Sequence, residues 1–371
     1  MRINPGIHVL DVAPGAVQLG IGPGSLLLRN LQPADLGFLA SLRRGVPDGS
    51  EAAAGAAVLL PAGRSASLLA ALEPLLVPYE ASAPPVPSLR SERLRPDASR
   101  LSAAYRLNGE EPVRHRSAAA VSIDGLGRTG ALLARTLAGA GIGTLLLSDP
   151  GVVTPGDVGS AYAMTDIGMN RAAAVKRHLF RIDPTQQVLT LSDARGSSPR
   201  AIDLAVTVRP VGAVPLDRET GPEPAPRVPQ LLLTNQEGGW DVGPLVIPGA
   251  TPCLECLDRQ RADTDPGWYA AAEALGRPDP GSRTAAGAME DPVGGWPAGE
   301  ESAGSALAAG AAAMAALVFL DGINRPALQS AVLSLRTSDG YPRLQKLAYH
   351  PSCGCRLQHR EPRPVRPDAA A

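Results

Sequence analysis

The first eighty residues alternate short apolar runs with turn residues. Ile7–Val12, Ala16–Ile21 and Ser25–Arg29 read as strands, and Pro14-Gly15 and Pro23-Gly24 turn the chain between them. The apolar period then lengthens. Leu31, Leu36, Leu39 and Leu42 lie on one stripe of a helix over Leu31–Leu42, and a second helix is expected over Ser65–Leu76. Three strands and two helices in so short a stretch predict a small α+β, winged-helix-like module over residues 1–80. Such modules bind DNA or peptides. No helix face here is basic, which points to a peptide.

Residues 81–97 are Pro-rich and polar and predict a linker. Asp97 suits the N-cap of a short helix over Ala98–Leu107. From Ala118 the pattern becomes strand, glycine-rich turn, apolar helix (Ala131–Ala140) and second strand (Thr144–Ser148). That succession predicts an α/β domain over residues 98–359 with a doubly wound, Rossmann-like sheet. Residues 211–229 read as a Pro-rich crossover, 277–304 as a long loop over or beside the site, and 360–371 as a disordered tail. Ala303–Leu320 is the longest apolar stretch. It is mostly Ala and Gly, so it reads as a buried helix rather than a membrane span.

Charge and composition narrow the partners. With 35 basic and 36 acidic side chains the net charge is −1, which argues against nucleic acid and against a membrane surface. Lys176 and Lys346 are the only lysines, so the positive charge is almost all arginine. The start, MRINPGIHVL, lacks the basic stretch and apolar core of a signal peptide, and a soluble, cytoplasmic protein is expected. Four cysteines in such a chain argue for metal or redox chemistry before disulfides.

Two constellations carry the chemistry. Gly125-Leu126-Gly127-Arg128-Thr129-Gly130 follows a strand and opens a helix, which is the context the G-x-G-x-x-G pattern requires. Gly125 allows the tight turn, Gly127 lets a phosphate approach the backbone, and Gly130 lets helix pack on strand. The helix N-terminus adds N–H donors and a positive dipole end. Asp149 ends the next strand, 19 residues after Gly130, where it would bond a ribose hydroxyl. The second constellation is Cys253-Leu254-Glu255-Cys256 with Cys353-Gly354-Cys355. Two close cysteine pairs with none left over predict a closed tetrathiolate zinc site. Such a site leaves no open coordination position, so its role is structural.

The order of these parts resembles the ThiF/HesA/MoeB superfamily, relatives of the ubiquitin-activating enzymes, over roughly residues 118–357. The resemblance rests on the glycine turn, Asp149, Asp166-Ile167-Gly168, Arg181-Ile182-Asp183-Pro184 and the two cysteine knuckles. Gly243–Gly249 leading into the first knuckle, and His350–Cys355, are similar to actinobacterial ThiF-like proteins that accompany ribosomally made, modified peptides and carry an N-terminal leader-peptide-binding module. Active members bind ATP and magnesium and adenylate a partner's C-terminal carboxylate. The resemblance implies a homodimer, and as partners a precursor peptide or ubiquitin-like protein and another enzyme of the pathway.

The sequence departs from the superfamily where ATP is held. Asp157-Val158-Gly159-Ser160 stands where Asn-Leu-x-Arg is usual, and Arg171 stands where a lysine is usual, with Lys176 further along the same helix. Arg209-Pro210 replaces a magnesium-binding aspartate. The remaining nucleotide-site candidates are therefore Gly125, Gly127, Gly130, Asp149, Arg171 and Lys176. The departures predict weak or absent ATP and magnesium binding, and a degenerate member that recognises and presents its partner. The alternatives are an active adenylyltransferase and, more remotely, a nicotinamide or flavin oxidoreductase on the same βαβ unit.

Overall fold

The computed structural model describes residues 1–79, 88–190, 201–210, 228–276 and 299–355. Contacts divide it into two units, Met1–Ser117 and Ala118–Ala371. The expected Pro-rich crossover falls outside the described residues except at 228–229, and the expected tail lies wholly outside them.

In the first unit, β1 (Arg2–Ile3) pairs with β5 (Leu76–Val77), and β2 (Val9–Ala13), β3 (Ala16–Leu19) and β4 (Leu26–Leu28) form an antiparallel sheet in that order. The register sets Val9, Leu19 and Leu26 side by side on one face and Leu10, Gln18 and Leu27 on the other. The first face closes a core with Phe38, Leu39, Leu42, Leu68 and Leu72. Helices α1 (Pro33–Arg44), α2 (Glu51–Ala57) and α3 (Ala62–Leu72) complete the unit. The second helix starts earlier than its leucines alone suggest, and α2 is an additional helix. Its residues, EAAAGAA, present no apolar stripe.

Residues 89–97, read from the sequence as part of a linker, are helical. They begin α4 (Leu89–Tyr105), which continues through Pro96. An interior proline removes one helical hydrogen bond. Here burial of Leu94, Ala98 and Leu101 against Val113 of α5 (Glu110–Arg116) offsets that loss. The Asn4 side chain donates to Ser102 O at 2.7 Å and ties this helix into the N-terminal unit.

The second unit is built on eight strands: β6 (Ala120–Asp124), β7 (Thr144–Ser148), β8 (Gln187–Thr190), β9 (Leu204–Pro210), β10 (Gln230–Gln236), β11 (Gly239–Val246), β12 (Ala331–Arg336) and β13 (Pro342–Lys346). Their order is β13-β12-β11-β10-β9-β6-β7-β8. The run from β10 to β8 is parallel, and β11, β12 and β13 add antiparallel pairs. This is the expected α/β class with a mostly parallel central sheet. β6 has β7 on one side and β9 on the other, so the chain reverses its winding there. The crevice beyond the carboxyl ends of β6 and β9 is where open α/β sheets take ligands.

Helices α6 (Arg128–Gly139), α7 (Arg171–Ile182) and the helix Ser302–Asp321 pack on the face carrying Val121, Ile123, Leu145, Leu147 and Val206. On β10 the alternation splits the leucines. Leu231 and Leu233 join that core, while Leu232 faces the other way and packs with Val332, Leu347 and Leu257 of α8 (Leu254–Thr264). After α9 (Trp268–Gly276) comes α10, the helix Ser302–Asp321. It is long and apolar enough to cross a bilayer. It nevertheless buries Ala308, Ala309, Ala312, Ala313 and Ala316 against α6 and β11 as a core helix. Small side chains there let α6 and α10 approach closely.

Asp35 is a buried carboxylate in the N-terminal unit. Asp35 accepts from Gln32 N at 2.8 Å and pairs with both ends of the Arg64 fork at 2.9 and 3.2 Å. The Arg64 hydrogen bonds hold its carboxyl below the ordinary aspartate range against the opposing effect of burial. Asp35→Ala should therefore destabilise the unit by about 1–3 kcal/mol, since it removes a helix cap and leaves the Gln32 N–H unmatched. The sign with pH follows. A carboxyl depressed in the folded state adds stability above its unfolded value of about 4, and that stability drains as pH falls through the lower folded value. Chemical denaturation of wild type and variant between neutral pH and about pH 3 should show the two curves converging in acid. A gap that is independent of pH would contradict this account.

Candidate functional site

The glycine turn leaves the end of β6 and enters α6 directly. Gly125 has φ +91°, and a Cβ there would lie 2.0 Å from Val208 O of β9. Only glycine fits so close to the neighbouring strand. A Cβ at Gly130 would lie 1.9 Å from Gly125 O, so the third glycine lets α6 seat on the turn. Beneath, Tyr162 is buried and its hydroxyl donates to Leu126 O at 2.5 Å. Burial pushes that phenol well above its usual range, so it stays a neutral donor. The turn is thus formed as a nucleotide-binding turn would be.

Two of its donors, Leu126 N and Thr129 N, are however already engaged. Asp149 Oδ2 accepts from Leu126 N at 2.6 Å and Oδ1 accepts from Gly151 N at 2.7 Å. Asp149 therefore buttresses the turn from the side on which a ribose would lie. Gly127 has the open backbone that a phosphate needs, but a Cβ there would sit 2.3 Å from Glu300 Oε1. The same carboxylate accepts from Thr129 N at 2.6 Å. Burial raises the pKa of Glu300, against the opposing pull of the Thr129 N–H and the Arg171 charge.

The cations near the turn are committed as well. Arg171 opens α7 and points its fork back at Asp157, with Nη2–Oδ1 at 3.0 Å and Nη2–Oδ2 at 2.8 Å, while Nη1 stands 3.7 Å from Asp149. Burial works against the guanidinium charge, and these two carboxylates more than restore it. The two departures noted separately in the sequence, Asp157 and Arg171, are partners in one ion pair. Arg209, in the place of the magnesium aspartate, reaches Asp124 at 2.5 Å. Arg128 donates to Val158 O, Glu300 O and Ser302 Oγ at 2.9–3.1 Å. Lys176 sits five positions beyond Arg171 on α7, a rise of about 7.5 Å along the axis. The structure thus gathers Gly125, Gly127, Gly130, Asp149 and Arg171 at one crevice, and sets Lys176 further along the helix.

Glu300 and Arg128 were not singled out from the sequence. Arg128 occupies a variable position of the glycine pattern, and Glu300 lies in a stretch read as a long loop, most of which (277–298) is outside the described residues. No spacing rule links a carboxylate to a helix start 171 positions away.

The four cysteines converge at α8. Cys253 is its N-cap, Cys256 lies in its first turn, and Cys353 and Cys355 approach from beyond β13. The Sγ atoms of Cys253 and Cys353 are 3.5 Å apart, those of Cys256 and Cys355 3.4 Å, and those of Cys253 and Cys256 3.9 Å. All four lie within 4.8 Å of one another, and none is in a disulfide. A tetrahedral ion with metal–sulfur bonds of about 2.3 Å sets its sulfurs about 3.8 Å apart, so the group could hold a metal. His350 stays outside the group. Its Nδ1 accepts from Ser352 N and its Nε2 faces Asp263.

Comparison with known proteins agrees with this architecture. Residues 99–205 match the ThiF family. Among solved structures the chain is similar to Escherichia coli MccB with ATP, at 17% identity over 95% of this chain and 98% of that one, with a TM-score of 0.62. It is similar to the microcin C7 biosynthetic enzyme MccB in complex with N-formylated MccA, at 16% identity over 96% and 99% and a TM-score of 0.63. It is also similar to PaaA, at 17% identity over 92% and 98% and a TM-score of 0.62. At these identities the likeness is one of fold. No curated protein matches the chain.

The Arg171–Asp157 pair is open to a double-mutant cycle. Arg171→Ala leaves Asp157 and Asp149 without their cation in a half-buried place and should cost about 2–4 kcal/mol. Arg171→Ala with Asp157→Ala should cost less than the sum of the singles by about 1 kcal/mol or more in urea denaturation. Additive losses would show that the two side chains do not depend on each other.

Proposed function

Because residues 99–205 match the ThiF family, we propose that this chain is a binding-type member of the ThiF-like proteins, which recognises a peptide and presents it to another enzyme of a modification pathway. One observation carries the reading. Arg128, Arg171, Arg209 and the N–H groups of Leu126 and Thr129 each already hold an acceptor from the chain itself. An adenylating enzyme aims such groups at the triphosphate and at the charge that develops in the transition state. Here they stabilise the protein, so binding outlasts catalysis.

The partner is a precursor peptide, or a ubiquitin-like protein of similar C-terminal chemistry. MccB, of like fold, is a biosynthetic enzyme seen with N-formylated MccA, which supports a partner of this kind. We assign recognition to residues 1–80 as a winged-helix-like module. The edge strands β2 and β4 offer unpaired N–H and C=O groups to an added strand. Leu10, Val12 and Leu27 offer exposed apolar contacts on the sheet's outer face. The α/β domain serves as the platform for the second enzyme. The uncharged outer stripe of α10, with Leu307 and Met314 exposed, favours a homodimer.

A second reading, ATP-dependent adenylation of the partner's carboxylate, is favoured by the intact turn at Gly125, Gly127 and Gly130. It requires Arg171 to leave Asp157 and Glu300 to leave Thr129.

We assign the tetrathiolate to structural zinc held by Cys253, Cys256, Cys353 and Cys355. It staples the segment after β13 onto α8. Purified protein should carry about one zinc per chain, and Cys355→Ser should lower the melting temperature without changing peptide affinity. Protein without metal, or a Cys253–Cys256 disulfide in the folded state, would contradict the assignment.

The functional test compares peptides encoded near the gene against residues 1–117, residues 118–371 and the full chain. Retention by the first fragment and loss from the second is the expected result. Equal binding by residues 118–371 would move recognition into the α/β domain.

A further inference from the structure

A helix start with free N–H groups attracts whichever anion is nearest and most concentrated. At α6 that anion belongs to the chain itself. The Glu300 carboxylate lies over Gly127, with Oε1 and Oε2 2.3 and 3.1 Å from where a Cβ would stand, and Oε2 accepts from Thr129 N at 2.6 Å. This is the space a phosphate must enter when it approaches the second glycine of such a turn. The segment is fastened at Glu300 and just after it. Arg128 Nη1 donates to Glu300 O at 3.1 Å and to Ser302 Oγ at 3.0 Å, and Thr337 Oγ1 donates to Glu301 Oε1 at 3.2 Å.

We propose that Glu300 determines which ligands the glycine turn accepts: its carboxylate fills the anion position at the start of α6 and excludes nucleotide phosphates. The proposal deepens the binding-type reading and rests on it for the site concerned.

Two effects act together. The carboxylate is a tethered ligand, so its effective concentration exceeds that of a nucleotide free in solution. An entering phosphate would also meet Glu300, Asp149 and Asp157, with the Arg171 charge already shared between the two aspartates. Glu300 is therefore a specificity-determining residue. The fold keeps a phosphate-shaped turn, and one side chain from the start of α10 closes it. Arg128 of α6 in turn anchors Glu300 and Ser302, the residue that opens α10. Nothing else described at the turn has this character, because Asp149 braces the turn from the side and leaves the space over Gly127 open.

The test uses the full chain and two probes, sodium pyrophosphate and ATP, titrated by calorimetry. Wild type should give no binding heat. Glu300→Ala should bind both probes at least about tenfold more tightly than wild type, the effect of one charge-assisted hydrogen bond transferred to the ligand. Glu300→Gln should fall between, since its amide oxygen still accepts from Thr129 N but carries no charge. If Glu300→Ala fails to fold, Glu300→Gln alone reads the effect, with a thermal melt as the folding control. Adding Gly127→Val to the binding variant should erase the gain and so place the probe at the turn. Folded variants that bind no better than wild type would overturn the proposal. The two readings separate cleanly. Folded variants that gain nothing over a silent wild type sink the role of Glu300 and leave the binding-type reading standing, whereas tight ATP binding by wild type sinks the exclusion by Glu300 and the binding-type reading together.

Discussion

Buried or half-buried N–H donors must find acceptors, and at the head of α6 this requirement organises the surroundings. Leu126 N and Thr129 N take carboxylates from Asp149 and Glu300. Each carboxylate then needs its own support. Asp149 finds it in Gly151 N and the Arg171 fork, and Arg171 in turn binds Asp157. Arg128 holds the Val158 carbonyl and the approach to α10. The crevice at the winding reversal of the sheet thereby has its guanidinium groups and two of its turn N–H groups engaged from within, while Arg128 Nε and Thr129 Oγ1 stay buried without a partner among the described residues. A ligand there has to break existing pairs before it forms new ones.

Much of this was legible in the sequence, and the remainder was not for identifiable reasons. The strand Thr144–Ser148 was read at its observed bounds because it is an apolar run between a glycine turn and an aspartate. The four cysteines were read as a group because close spacing within each pair leaves few alternatives, and their sulfurs do converge. Each departure at the nucleotide site was visible, but the meaning of two of them was not. Asp157 and Arg171 each stand in the sequence as a separate replacement of a usual family residue, whereas in the fold they neutralise each other. Opposite charges that appear together at two family positions are better read first as a candidate pair. Glu300 was illegible in principle, since its partner lies across the fold and no local period marks it. The second half of α4 was expected as a helix over Ala98–Leu107, whereas its first half, residues 89–97, was hidden by its proline and polar residues, because the burial that sustains it depends on α5.

The two units differ in what they leave unpaired. At the glycine turn of the α/β unit the guanidinium groups of Arg128, Arg171 and Arg209 are engaged within the chain, and the four cysteines form a cluster that could hold a metal. In the N-terminal unit, the core is complete on one face of the small sheet while the edges and outer face keep unpaired backbone and exposed Leu10, Val12 and Leu27. The proposed function rests on this difference, since recognition requires such unused surface and catalysis requires unused charge.

The central claim, that the glycine turn survives as architecture and not as a nucleotide site, is tested most directly by titrating ATP into the full chain by calorimetry, with and without magnesium. The account predicts no saturable binding heat under either condition. Saturable, magnesium-dependent ATP binding in the micromolar range would contradict it.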